Sequence, residues 1–113
     1  MEILIQSPHE FIPVDAEVDL YERFEKLKHL NPGILFCDVV LSREHHTPQT
    51  YGVHARLSIR GEDLFAKEYG NSYLHAARLV ITDLENQIRK IKEKRTHHVE
   101  PLDAAEQQTQ EPE

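Results

Sequence analysis

Tyr51-Gly52-Val53-His54-Ala55-Arg56-Leu57-Ser58-Ile59-Arg60 alternates in character at every step. Successive side chains of a strand leave opposite faces of the sheet. Tyr51, Val53, Ala55, Leu57 and Ile59 therefore share one face, and Gly52, His54, Arg56, Ser58 and Arg60 share the other. One apolar face and one wet face mark a strand of an antiparallel sheet covered on a single side. Downstream, Gly61-Glu62-Asp63 makes a tight connection into a fourth strand from about Leu64 to Glu68. Upstream, Ile34 to Leu41 (ILFCDVVL) is apolar and β-branched enough for a buried strand. A polar loop from Ser42 to Gln49 separates the two. Ile3 to Gln6 supplies a short first strand, ended by Ser7-Pro8.

Two helices complete the order. Between Asp15 and Leu30, Val18, Tyr21, Phe24 and Leu27 recur along one stripe, with Asp15 as N-cap. Asn31-Pro32-Gly33 stops that helix. The last helix opens at Gly70-Asn71-Ser72, capped by Ser72 or Asn71. Its apolar stripe is Leu74, Ala77, Ile81, Leu84, Ile88 and Ile91. It runs to about Lys94, roughly 35 Å. The expected fold is α+β with the order β-α-β-β-β-α: a two-layer sandwich in which two helices cover one face of a four-stranded sheet. The first two strands suit a parallel crossover, and the last three form a meander.

At 113 residues the chain supports one folded domain, placed at residues 1–95, followed by an acidic tail, 96–113. The tail is poor in large apolar residues and is expected to be disordered. The charge divides at the same boundary. The chain carries 20 acidic and 13 basic residues, a formal charge of −7. Glu100, Asp103, Glu106, Glu111 and Glu113 lie in the tail, which has no Lys or Arg. Without those five, 15 acids face 13 bases. Arg89-Lys90-Ile91-Lys92-Glu93-Lys94-Arg95 then places five cations and one anion at the end of the long helix. A near-neutral domain with a local basic surface suits a polyanion.

No run approaches the ~20 apolar residues of a spanning helix, and the N-terminus lacks the pattern of a signal peptide. The single Cys37 allows no internal disulfide, which points to an intracellular, cytoplasmic protein. In its apolar run Cys37 reads as a small hydrophobe.

The residues suggest a binding surface. Lys90 and Lys94 lie one turn apart, away from the apolar stripe, and Arg78 and Arg89 share its flank. Arg23 and Lys26 can share an outward face of the first helix. Arg56 and Arg60 lie on the outward face of the third strand. Together with Lys92 and Arg95, these cations can meet a phosphate backbone. A solvated helix end whose cations complement the dipole explains the same pattern without a ligand. His45-His46 and His97-His98 lack the spacing of a structural zinc site, so no metal or cofactor is expected. No phosphate loop, nucleophile elbow or H-E-x-x-H occurs, which argues against an enzyme. The third strand's outward residues include no aromatic for base stacking, so RNA contacts would be to phosphate and shape.

The run Val53 to Lys67 (VHARLSIRGEDLFAK) and the run Leu84 to Lys94 (LENQIRKIKEK) resemble the bacterial ribosome hibernation factors. These are the hibernation-promoting factor and ribosome-associated inhibitor (protein Y) group, also called sigma-54 modulation proteins. Arg23-Phe24-Glu25-Lys26-Leu27 is similar to the family's R-x-x-K-L on the first helix, and Leu84-Glu85-Asn86-Gln87-Ile88-Arg89-Lys90 to its L-E-x-Q-L-x-K on the second. Asp38 to Ser42 resembles its second strand. The resemblance implies a fold like that of double-stranded-RNA-binding domains. It implies binding to the small ribosomal subunit and its 16S rRNA near the decoding region, where mRNA and tRNA sites are blocked under stress or in stationary phase. It assigns Arg23, Lys26, Gln87, Lys90 and Lys94 to the RNA-binding set, while Arg56, Arg60, Arg89, Lys92 and Arg95 follow from the surface argument alone. It also implies the short, single-domain form, monomeric when free. The alternative is a regulatory protein-interaction module on the same scaffold, using its polar sheet face or long helix without ribosomes.

Overall fold

The computed structural model describes residues 1–8, 11–44 and 50–98, with side chains through Glu93. The elements are β1 (Glu2–Gln6), α1 (Val14–Glu25), a 3-10 turn (Lys26–His29), β2 (Ile34–Arg43), β3 (Tyr51–Ile59), β4 (Glu62–Gly70) and α2 (Tyr73–His98). The sheet order is β1-β2-β3-β4. β1 pairs parallel with β2, and β2–β3 and β3–β4 are antiparallel. This is the expected β-α-β-β-β-α, α+β arrangement.

The alternation of β3 decides which face is covered. Val53, Ala55, Leu57 and Ile59 are buried, and they join Cys37, Val39 and Leu41 of β2 and Leu64 and Ala66 of β4. α2 closes this layer with Ala76, Ala77, Val80, Leu84, Ile88 and Ile91, and α1 with Leu20 and Phe24, continued by Leu27. Leu74 and Ile81, expected in the α2 stripe, are half-buried at its margin.

Several local expectations need correction. The core stripe of α1 is Leu20, Phe24 and Leu27, whereas Val18 and Tyr21 are exposed. Asp15 is not the cap: Pro13 is, with the amides of Ala16 and Glu17 donating to its carbonyl. Asp15 and Glu17 stand in the first turn, where carboxylates complement the helix dipole. The chain narrows into a 3-10 turn at Lys26, so the α-helix is shorter than the expected span. β2 extends two residues further, through Arg43. The β3–β4 turn is Arg60-Gly61, because Ile59 already pairs with Glu62. Gly61 takes φ +86°, which a side chain would disfavour. Ser72 is the α2 cap: its Oγ accepts from His75 N at 3.0 Å. α2 passes the expected domain boundary at 95/96 and continues to His98. The expected loop residues 45–49 and tail residues 99–113 lie outside the described residues.

Candidate nucleic-acid interface

Topology gathers cations at one end of the molecule. The 3-10 turn that carries Lys26 and Lys28 leads through Gly33 into β2. Gly33 O accepts from Arg60 N at 3.2 Å, which ties the β3–β4 turn to the same end. α2 leaves the far end of β4 and returns along it, since Gln87 Nε2 donates to Phe65 O at 2.8 Å. The C-terminal half of α2, with Arg89, Lys90 and Lys92, therefore approaches the end marked by Lys26 and Arg60. Lys26, Arg60, Arg89, Lys90 and Lys92 are all exposed. Arg89 also donates to Asn86 Oδ1 at 3.3 Å, within its own helix. Exposed ammonium and guanidinium groups on rigid backbone are what phosphate contacts require. The side chains of Lys94 and Arg95 lie outside the described residues.

Other candidate residues are engaged differently. Arg23 Nε pairs with Asp19 Oδ1 at 3.2 Å, one turn back on α1, and is half-buried. Lys28 Nζ pairs with Glu25 Oε2 at 3.3 Å. Both are partly exposed pairs, which water screens. Gln87 Nε2 donates to Asp83 Oδ1 at 3.0 Å as well as to Phe65 O. Its carboxamide thus ties α2 to the outer edge of β4. Lys90 lies three residues beyond Gln87 and so shares this β4-facing flank.

Arg56 stands apart from the helices, on the uncovered face of the sheet. Its Nη2 donates to Asp38 Oδ2 at 2.8 Å and its Nη1 to Asp63 Oδ2 at 3.5 Å. The guanidinium also lies 5.0 Å from the centre of the Phe36 ring. The hydrogen bond to Asp38 is the main cause of its raised pKa. One cation between two carboxylates is poor bait for phosphate, which sets Arg56 apart from the exposed cations of the helices.

Residues 12–96 match the family described as Sigma 54 modulation protein / S30EA ribosomal protein. The chain belongs to this family. It is a family of ribosome-associated proteins, and the match covers α1, β2 to β4 and α2 as far as Thr96. Solved structures that share the fold include two examples. One is a ribosomal subunit interface protein from Coxiella burnetii, 20% identical with a TM-score of 0.69, the match covering 82% of this chain and 99% of that one. The other is the Protein Y N-terminal domain of Thermus thermophilus, 17% identical with a TM-score of 0.71, covering 80% and 99%. No curated protein sequence matches the chain.

Within this Sigma 54 modulation / S30EA member, β3 is a poor guide to the uncovered face. β2 and β4 add Phe36, Phe65 and Tyr69 to it. Tyr69 lies across Gly52, where an added Cβ would meet its ring at 2.8 Å. Lys67 Nζ lies 5.6 Å from the centre of the same ring. The signal was present in the period-two patterns of β2 and β4, but only the cross-strand register brings these rings together. Among the described residues no group of His, Cys, Asp or Glu could hold a metal ion, and no helix is long and apolar enough to cross a membrane.

Proposed function

We propose that the chain binds 16S rRNA on the small ribosomal subunit at the decoding region, with its cation-rich end against phosphates. Seated there it blocks the mRNA and tRNA sites and holds the ribosome idle, as a non-enzymatic cytoplasmic factor of stress or stationary phase. The observation that carries the reading is the topology, which sets the exposed Lys26, Arg60, Arg89, Lys90 and Lys92, with Glu25, Glu62 and Glu93 close to them in sequence, toward the same end of the sheet in a member of a ribosome-associated family. Gln87 supports this surface by fixing α2 to β4, whereas Arg23 is paired within α1. Arg56 plays no part in it. Lys94 and Arg95 extend the run along the sequence of α2.

Phosphate contacts release counterions, so affinity should fall steeply between low and physiological salt. The test is co-sedimentation with purified 30S particles. Arg89→Glu with Lys90→Glu should abolish pelleting at an unchanged circular dichroism spectrum, whereas Arg56→Gln should leave it intact. Pelleting that survives the double reversal removes the α2 end from the site. Pelleting lost with Arg56→Gln alone, in a folded protein, moves the site to the open sheet face.

A further inference from the structure

α1 carries a second apolar line that nothing in the described residues covers. Val14, Val18 and Tyr21 are spaced four and three apart, and Phe11 precedes them. Phe11 is 86% exposed, Val14 71%, Val18 49% and Tyr21 41%. The core stripe of the same helix runs through Leu20, Phe24 and Leu27, so this line is additional to the one that holds the fold. A contiguous row of large apolar groups in water is unusual for a surface with no partner.

Its border is acidic. Glu17 lies three residues from Val14 and four from Tyr21, and Val18 lies three from Asp15 and four from Glu22. Residues at those spacings are neighbours on a helix. Asp15, Glu17 and Glu22 are exposed, and no Lys or Arg occurs between Phe11 and Glu22. The other two carboxylates of α1, Asp19 and Glu25, already pair with Arg23 and Lys28.

We propose that this ridge docks a protein whose groove has an apolar floor and a rim of Lys or Arg. The charge pattern chooses among occupants. RNA would meet three exposed carboxylates. A second copy, related by a twofold axis, would set the same acids against themselves. The chain's own segment after His98 carries five acids and no base, and is repelled likewise. A basic-rimmed groove alone satisfies both the apolar row and its border. The apolar row ends at Tyr21, ahead of Lys26, and the proposal does not depend on RNA binding.

The test uses the full chain and two fluorescein-labelled amphipathic helical peptides, one of Leu and Lys and one with Glu replacing every Lys. Fluorescence anisotropy should show saturable binding of the Leu/Lys peptide and none of the Leu/Glu peptide. Val18→Ser with Tyr21→Ser keeps every charge and alters only exposed side chains. It should weaken binding at least about tenfold, as loss of apolar anchors does, while 30S pelleting stays unchanged. Glu17→Gln with Glu22→Gln should weaken binding several-fold, roughly, and flatten its salt dependence. Equal binding by the Val18/Tyr21 variant would show charge attraction alone and overturn the proposal. So would binding of the Leu/Glu peptide, or a dimer in sedimentation equilibrium that the Val18/Tyr21 variant dissolves.

Discussion

Both hydrogens of Gln87 Nε2 have acceptors: Phe65 O at 2.8 Å and Asp83 Oδ1 at 3.0 Å. Among the described residues β4 is an edge strand, and its outer carbonyls have no strand partner there. Gln87 meets one of them from α2, so its first duty is to fasten the helix that carries Arg89, Lys90 and Lys92. Gln87→Ala should cost about 1 kcal/mol, since the carbonyl can turn to water. Urea unfolding measures that loss. 30S binding should fall no further than the loss of folded protein accounts for; a large fall at full stability would make Gln87 a direct RNA contact. Cys37 is a simpler case. It is fully buried, and desolvation, with a smaller contribution from Asp38, pushes its thiol from an ordinary 9.0 up to about 12. The folded thiol keeps its proton where the unfolded thiol loses it. Its contribution to stability is therefore complete below about 9 and is lost as pH rises from there toward about 12. Urea midpoints of the native sequence should decline faster over that interval than those of Cys37→Ala. Parallel declines would show that the thiol titrates alike in both states.

At the scale of elements, the two helices were unequally legible, for a geometric reason. Apolar residues of α2 alternate spacings of three and four, which keeps them within one stripe at about 100° per residue. In α1 and the turn that follows it, Val18, Tyr21, Phe24 and Leu27 are all spaced by three. Each such step falls short of a full turn by about 60°. Across three steps the line swings to the opposite side, so its two ends cannot both face the core. The structure resolves it into two lines spaced four and three, Val14/Val18/Tyr21 outside and Leu20/Phe24/Leu27 inside. Sequence could have shown both lines, but not which one meets the sheet. The strands behave similarly. Alternation placed Arg56 outward correctly. Its partners Asp38 and Asp63 come from β2 and β4, eighteen and seven residues away. Only the register sets Asp38 and Phe65 opposite Arg56. A residue's face is local information, whereas its neighbours on that face are not. Arg60 joined Lys26 at one end for the same reason, through the backbone bond to Gly33.

Over the whole molecule, charge is organised along the chain and across the fold together. α2 delivers Arg89, Lys90 and Lys92 to one end, and the chain continues from His98 into a segment with five carboxylates and no cation. Attachment to that helix tethers the five carboxylates to the element that bears the cations. Their field opposes a phosphate backbone at the same surface. Ending the chain at His98 changes the formal charge from −7 to −2, since five acids leave. The truncated protein should bind 30S particles several-fold more tightly, roughly, in low salt. The gain should shrink as salt shortens the reach of charge from about 30 Å at 0.01 M to about 8 Å at physiological strength. Binding isotherms of both chains across a salt series measure this. Superimposable curves at the lowest salt would mean that the acidic segment stays out of reach of the bound phosphates. A gain that persists undiminished in high salt would mean that the segment obstructs the site by its bulk, and the electrostatic account would give way to a steric one.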